Sequence, residues 1–258
     1  MSSYPNIVFH NIVVFKEMTN EEVEKIRKWF DENDYVLIKD ILTTEIKKYL
    51  LHNINYDSEV LKDPRQFYRE HHDVPCTDLI NEFLKAVQPF YTFILKRNLS
   101  HFAGFSMKYN EESNLIPHYD NYNMPISSTM CFYNQDRIPY PIYIDTAYFN
   151  NPHPFRVTIY DDISNIPNEN IVPIDINEGD IGLFRGRNHL HWRGKVDIKD
   201  YRAILLHMED YTYNGELVGY TMGNANINDV KNINTYALTD IQGYDKFRKD
   251  YVMYFVNS

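Results

Sequence analysis

The chain has 258 residues and a mass of 30.8 kDa, with 26 Lys and Arg against 36 Asp and Glu, for a formal net charge of −10. That length allows one large domain or two small ones and buries enough surface to need no disulfide or metal staple. The acidic balance argues against nucleic acid or an anionic membrane as partner.

Cys76 and Cys131 are too few for a disulfide framework, so a reducing compartment, the cytoplasm, is expected. The opening residues lack the basic start and apolar run of a secretory leader, and none is expected. No run approaches the roughly 18 apolar residues that a membrane span needs. The load of 22 Tyr and 15 Phe against only 9 Gly suits β-rich structure with large side chains on pleated faces.

The first hundred residues read as mainly helical. Thr19-Asn20-Glu21-Glu22 is a capping-box pattern that opens a helix ending near Asn33, with Val23, Ile26, Trp29 and Phe30 on one face. Tyr35 to Ile38 reads as a short strand, Thr43 to His52 as a second helix, and Thr77 to Leu95 as a longer third one. His71-His72-Asp73 falls in an expected loop before that third helix.

After Arg97 the pattern changes to strands. They are expected at Ala103–Tyr109, Ile126–Tyr133, Tyr140–Asp145, Phe155–Tyr160, Ile171–Ile176, Ile181–Phe184, His189–Trp192 and Tyr201–Met208. Short strands at this spacing, without helices between them, signal a sandwich or barrel rather than a parallel βαβ sheet. Asn214-Gly215 predicts a hairpin, and Ile241 to Phe255 a closing helix. The economical reading is one domain over 1–258: helical support in 1–100, a β core in 101–211, and a hairpin with a closing segment in 212–258.

The sharpest motif is Pro117-His118-Tyr119-Asp120. Residues two apart on an extended chain project to the same side, so His118 and Asp120 offer an imidazole and a carboxylate to one metal. Downstream, the turn Glu178-Gly179-Asp180 leads through an apolar strand to His189 and His191, and then to Tyr201-Arg202. A third ligand from that His pair completes two His and one carboxylate on one face. Such a set leaves adjacent coordination positions open, as in non-heme Fe(II) oxygenases.

This order of HxD, strands, a GD turn, His and then Arg resembles the Fe(II)/2-oxoglutarate-dependent oxygenases over roughly Ala103 to Glu209. The resemblance implies a double-stranded β-helix (jelly-roll, cupin-like) core with flanking helices. It also implies iron held by His118, Asp120 and a His near position 190, with Arg202 bound to the distal carboxylate of 2-oxoglutarate. Family spacing favours His191, eleven residues before Arg202, over His189, thirteen before it.

Ile204 stands where a common Arg-x-Ser pattern has Ser, so another hydroxyl must replace that hydrogen bond; Tyr109 is the first candidate and Tyr133 the second. The carboxylate of Asp120 disfavours halogenation. What the resemblance implies is O₂-dependent decarboxylation of 2-oxoglutarate coupled to hydroxylation of an unactivated carbon.

His207 reads as a packing or surface residue, and Arg185, Arg187 and Arg193 as charges flanking the iron strand. A small-molecule substrate, such as an amino acid or specialised metabolite, is preferred. The alternatives are a peptidyl or prolyl hydroxylase and, in a different class, a non-catalytic β-sandwich binding module in which the three ligands do not converge.

Overall fold

The computed structural model describes residues 4–54, 56, 72–74, 78–111, 113, 115–120, 124–147, 157–158, 168–194 and 197–211. The expected hairpin at Asn214-Gly215 and the closing helix at Ile241–Phe255 lie outside these residues.

Three helices precede most of the strands. Helix α1 (Asn20–Asn33) starts on the expected capping box: Thr19 accepts from the Glu22 N–H, and the Glu22 carboxylate accepts from the Thr19 backbone N–H at 2.7 Å. Its C-cap, Asp34, adopts the left-handed conformation (φ 64°), which ends the helix and turns the chain into β3 (Tyr35–Ile38). Helix α2 (Thr44–Asn53) is capped by Thr43, and α3 (Asp78–Leu95) buries Ile80, Phe83, Leu84, Val87, Phe90 and Ile94 along one stripe.

Two short strands, β1 (Val8–Phe9) and β2 (Ile12–Val13), form a separate ribbon. The remaining strands in chain order are β4 (His72–Val74), β5 (Leu99–Tyr109), β6 (Leu115–Tyr119), β7 (Ile126–Asn134), β8 (Tyr140–Asp145), β9 (Val157–Thr158), β10 (Ile171–Ile176), β11 (Ile181–Phe184), β12 (His191–Arg193) and β13 (Tyr201–Asp210). They build a six-stranded sheet, β3-β11-β7-β13-β5-β4, and a five-stranded sheet, β10-β8-β12-β6-β9, with antiparallel pairing throughout. Without the edge strands β3, β4 and β9, the eight that remain are the two four-stranded sheets of a jelly roll, the expected double-stranded β-helix.

Period-two alternation sorts the side chains into two cores. On β13, Tyr201 and Ala203 join Met107, Tyr109, Cys131, Tyr140, Ile142, Ile144 and Phe184 between the sheets. Ile204, Leu206 and Met208 of the same strand face the other way, into a cluster with Phe30, Ile46, Leu50 and the α3 stripe. The helices therefore brace the outer face of the six-stranded sheet and leave the space between the sheets to the site.

Two local expectations change. His72–Val74 is a strand paired with β5, where a loop was expected. The strand expected at His189–Trp192 begins only at His191, because the Asn188 and His189 N–H groups both donate to the Arg185 carbonyl and are lost to the sheet ladder. Of the strand expected at Phe155–Tyr160, Val157–Thr158 is a strand as expected, and the other four residues lie outside the described ones. Gly179, at φ +93°, supplies the left-handed turn into β11 that a side chain would strain.

Candidate active site

The pairing of β12 with β6 places His191 directly opposite His118. Their rings lie 4.1 Å apart, tilted by 55°. Asp120 follows one residue past the end of β6, and its N–H donates to the Gly186 carbonyl at 2.9 Å, which folds it back toward the pair. One ligand atom from each of His118, Asp120 and His191 lies within 4.8 Å of the others, and all three residues are buried. His118 Nε2 is 3.6 Å from Asp120 Oδ1, and His191 Nε2 is 3.7 Å from Asp120 Oδ2.

The surroundings orient these groups. His191 Nδ1 lies 3.0 Å from the His189 carbonyl, which only accepts. Nδ1 therefore carries the proton and Nε2 presents its lone pair to the cluster. Ser127 donates to Asp120 Oδ2 at 2.5 Å and lies 3.1 Å from His207 Nδ1, which is itself 3.7 Å from the same carboxylate oxygen. Burial by itself pushes the Asp120 carboxyl up, but the facing imidazoles of His191, His207 and His118 outweigh it and hold the carboxyl well below the usual range. Gly186 leaves the room this requires: a Cβ there would stand 2.0 Å from Asp120 Oδ2 and 2.6 Å from Ser127 Oγ.

His189 is engaged elsewhere. Its Nδ1 meets the Asp145 carbonyl at 2.9 Å and its Nε2 the Asp34 carboxylate at 3.1 Å. Arg185 also bonds to Asp34, so the C-cap of α1, β8 and the turn before β12 are tied together beneath the site. His207 and Ser127 were missed as site residues. The signal was present for His207: Ala203, Leu205 and His207 share parity on β13, and Ala203 faces the space between the sheets.

The expected cosubstrate residues separate into two groups. Tyr109 is fully buried between the sheets, its hydroxyl donating to Met107 Sδ at 3.3 Å. Arg202 instead points to the helix-side face. It forms a two-pronged ion pair with Asp200 (2.9 and 2.7 Å), and its guanidinium lies over the Tyr56 and Tyr133 rings at 5.1 and 5.4 Å. Tyr133 shares that side, because the β13–β7 register shifts between Arg202 and Ala203. The arginine between the sheets is Arg193, with its guanidinium carbon 4.6–5.4 Å from the ring centroids of Tyr140, Tyr201 and Tyr109.

Two imidazoles and one carboxylate, buried and held by outer hydrogen bonds, fit Fe(II). Among the described residues, no helix is long and apolar enough to cross a membrane.

No family model and no curated protein matches the sequence. Solved structures do match in fold. HygX from Streptomyces hygroscopicus, determined with nickel, 2-oxoglutarate and hygromycin B bound, aligns at a TM-score of 0.52 and 9% identity over 74% of this chain and 87% of its own. EctD from S. alaskensis, with 2-oxoglutarate and 5-hydroxyectoine, aligns at 0.51 and 14% identity over 80% of this chain and 81% of its own. A Pseudomonas putida prolyl-4-hydroxylase aligns at 0.48 and 10% identity, covering 72% of this chain and 97% of its own. The chain therefore has the double-stranded β-helix fold of the iron- and 2-oxoglutarate-dependent oxygenases, with a buried His118-Asp120-His191 cluster across its paired strands β6 and β12.

Proposed function

We propose that this chain is an Fe(II)- and 2-oxoglutarate-dependent dioxygenase that hydroxylates an unactivated carbon of a small molecule, such as an amino acid or a specialised metabolite. The observation that carries the reading is the convergence of His118, Asp120 and His191, which a non-catalytic sandwich has no reason to maintain. Three buried groups that each disfavour desolvation are retained together most simply when they share a cation.

His118 and His191 would hold the iron through imidazole nitrogens and Asp120 through its carboxylate. When bound with 2-oxoglutarate and O₂, iron supplies the oxidising chemistry: the oxoacid leaves as succinate and CO₂, one O₂ oxygen enters succinate, and the other enters the substrate. The protein's part is positional. Ser127 and His207 fix Asp120, the His189 carbonyl fixes the His191 ring, and Phe184, with its ring 4.8 Å from His191, keeps that flank apolar.

HygX and EctD were solved with small molecules bound, which supports a substrate of that class. The net charge of −10 disfavours polyanions. Adding Fe(II) and 2-oxoglutarate anaerobically should produce the weak visible charge-transfer band of the chelate, and His191→Ala should abolish it. Absence of the band in the wild type refutes the reading. Substrate-dependent succinate formation across amino acids, metabolites and peptides then tests the substrate class.

A further inference from the structure

We infer that Arg193, and not Arg202, anchors the distal carboxylate of the 2-oxoacid cosubstrate; the inference rests on the dioxygenase reading above. His191 and Arg193 are two residues apart on β12, so both face the space between the sheets, while Trp192 between them stacks outward on Tyr143 at 5.7 Å. Two residues along a strand span about 6.6 Å. That is the order of the distance from a metal bound at the oxoacid end of a five-carbon diacid to its far carboxylate.

Arg193 is 2% exposed. It donates to the Tyr140 carbonyl and to Thr129 Oγ1 (3.3 Å) beneath the three tyrosine rings. No carboxylate of a described residue forms an ion pair with it, in contrast to Arg97, Arg185 and Arg202. A guanidinium does not shed its proton, so a buried one without a counter-anion bears a desolvation cost that neutral carbonyl, hydroxyl and ring partners offset only in part. An entering carboxylate offsets that cost with a two-pronged, charge-assisted pair. The tyrosine rings hold the guanidinium in place before the ligand arrives.

Arg202 is unsuited to the task. Its neighbours on β13, Tyr201 and Ala203, take the inward positions, and Asp200 already satisfies its charge. Reaching inward would require β13 to slip by one residue, which would also turn Ile204, Leu206 and Met208 out of the helix-side core.

The test titrates the anaerobic Fe(II)-protein with 2-oxoglutarate and with 2-oxobutanoate, which has the same chelating end and no distal carboxylate, reading the charge-transfer band. The wild type should bind 2-oxoglutarate about 100-fold more tightly. Arg193→Met should erase that preference and leave binding of Fe(II) and 2-oxobutanoate unchanged. Arg202→Gln should retain the preference. A preference that survives in Arg193→Met, or one that is lost in Arg202→Gln, overturns the assignment. If Arg193→Met fails to fold, the Arg202→Gln titration still decides, and Arg193→Lys should lose about tenfold for 2-oxoglutarate alone. A wild-type protein that forms no band with either acid removes the dioxygenase reading itself. One that binds both acids equally leaves that reading standing and removes only the role of Arg193.

Discussion

Gly186 offers a sharp test of how the metal site is built, because the residue touches no metal and bears no side chain. Its φ lies outside the left-handed region, so Gly186→Ala meets none of the strain that a side chain at Gly179 would. The added methyl would nevertheless stand 2.0 Å from Asp120 Oδ2 and 2.6 Å from Ser127 Oγ. Unbonded heavy atoms settle at about 3.5 Å, so the carboxylate has to retreat by roughly 1.5 Å. Asp120 has a short side chain held by Ser127 and faced by three imidazoles, so any retreat takes it out of the position it holds against His118 and His191.

A ligand moved that far should lower Fe(II) affinity by about 10- to 100-fold and turnover by about 100-fold. The assay is anaerobic Fe(II) titration, with Gly194→Ala as control, since the nearest atom to a Cβ there is Tyr143 Cε2 at 4.0 Å. Gly186→Ala that folds and binds Fe(II) as tightly as the wild type would refute the reasoning.

Ser127→Ala removes the donor to Asp120 Oδ2, and Fe(II) affinity should fall about tenfold while the thermal midpoint changes little; an unchanged affinity in metal titration contradicts the anchoring role. Burial tends to raise the Asp34 carboxyl, but His189 and Arg185 outweigh it and hold it below its ordinary value. With the folded value below the unfolded one of about 3.9, its stabilisation is complete above that pH and is lost as pH falls through the folded value. Urea unfolding should therefore show Asp34→Asn losing stability against the wild type at pH 6, with the gap closing below about pH 4. A gap that is constant down to acid pH contradicts this. Burial pushes the Cys131 thiol up to about 12. In a Cys76→Ser background, Cys131 should resist a thiol reagent at neutral pH until the chain is unfolded with guanidinium; fast reaction in the native state would show an open core.

Much of this molecule is local in origin and was legible residue by residue. The capping box at Thr19 and Glu22 needs only four consecutive residues, and the α3 stripe only helical spacing. His118 and Asp120 project together because an extended chain alternates. What sequence did not disclose are relations across strands. His189 and His191 have the same parity, so apart from the family spacing it is the pairing of His191 opposite His118, with His189 held by Asp34 and Asp145, that separates them. The sequence reading took Arg193 as a charge flanking the iron strand and Arg202 as the cosubstrate arginine; in the structure the Arg193 guanidinium lies among Tyr109, Tyr140 and Tyr201, and Arg202 pairs with Asp200.

The sequence by itself determined the fold class and put His118 and Asp120 on one side of an extended segment with a histidine pair downstream, because those depend on short periodic patterns and on motif order. Only the tertiary structure decided which side of β13 faces inward. That choice follows from packing, with Tyr201 and Ala203 between the sheets and Ile204, Leu206 and Met208 against the helices, and a slip of one residue would exchange the two faces. Likewise, Gly186, Ser127 and His207 surround Asp120 from segments far apart in the chain, a proximity created by the pairing of sheets and by no local pattern.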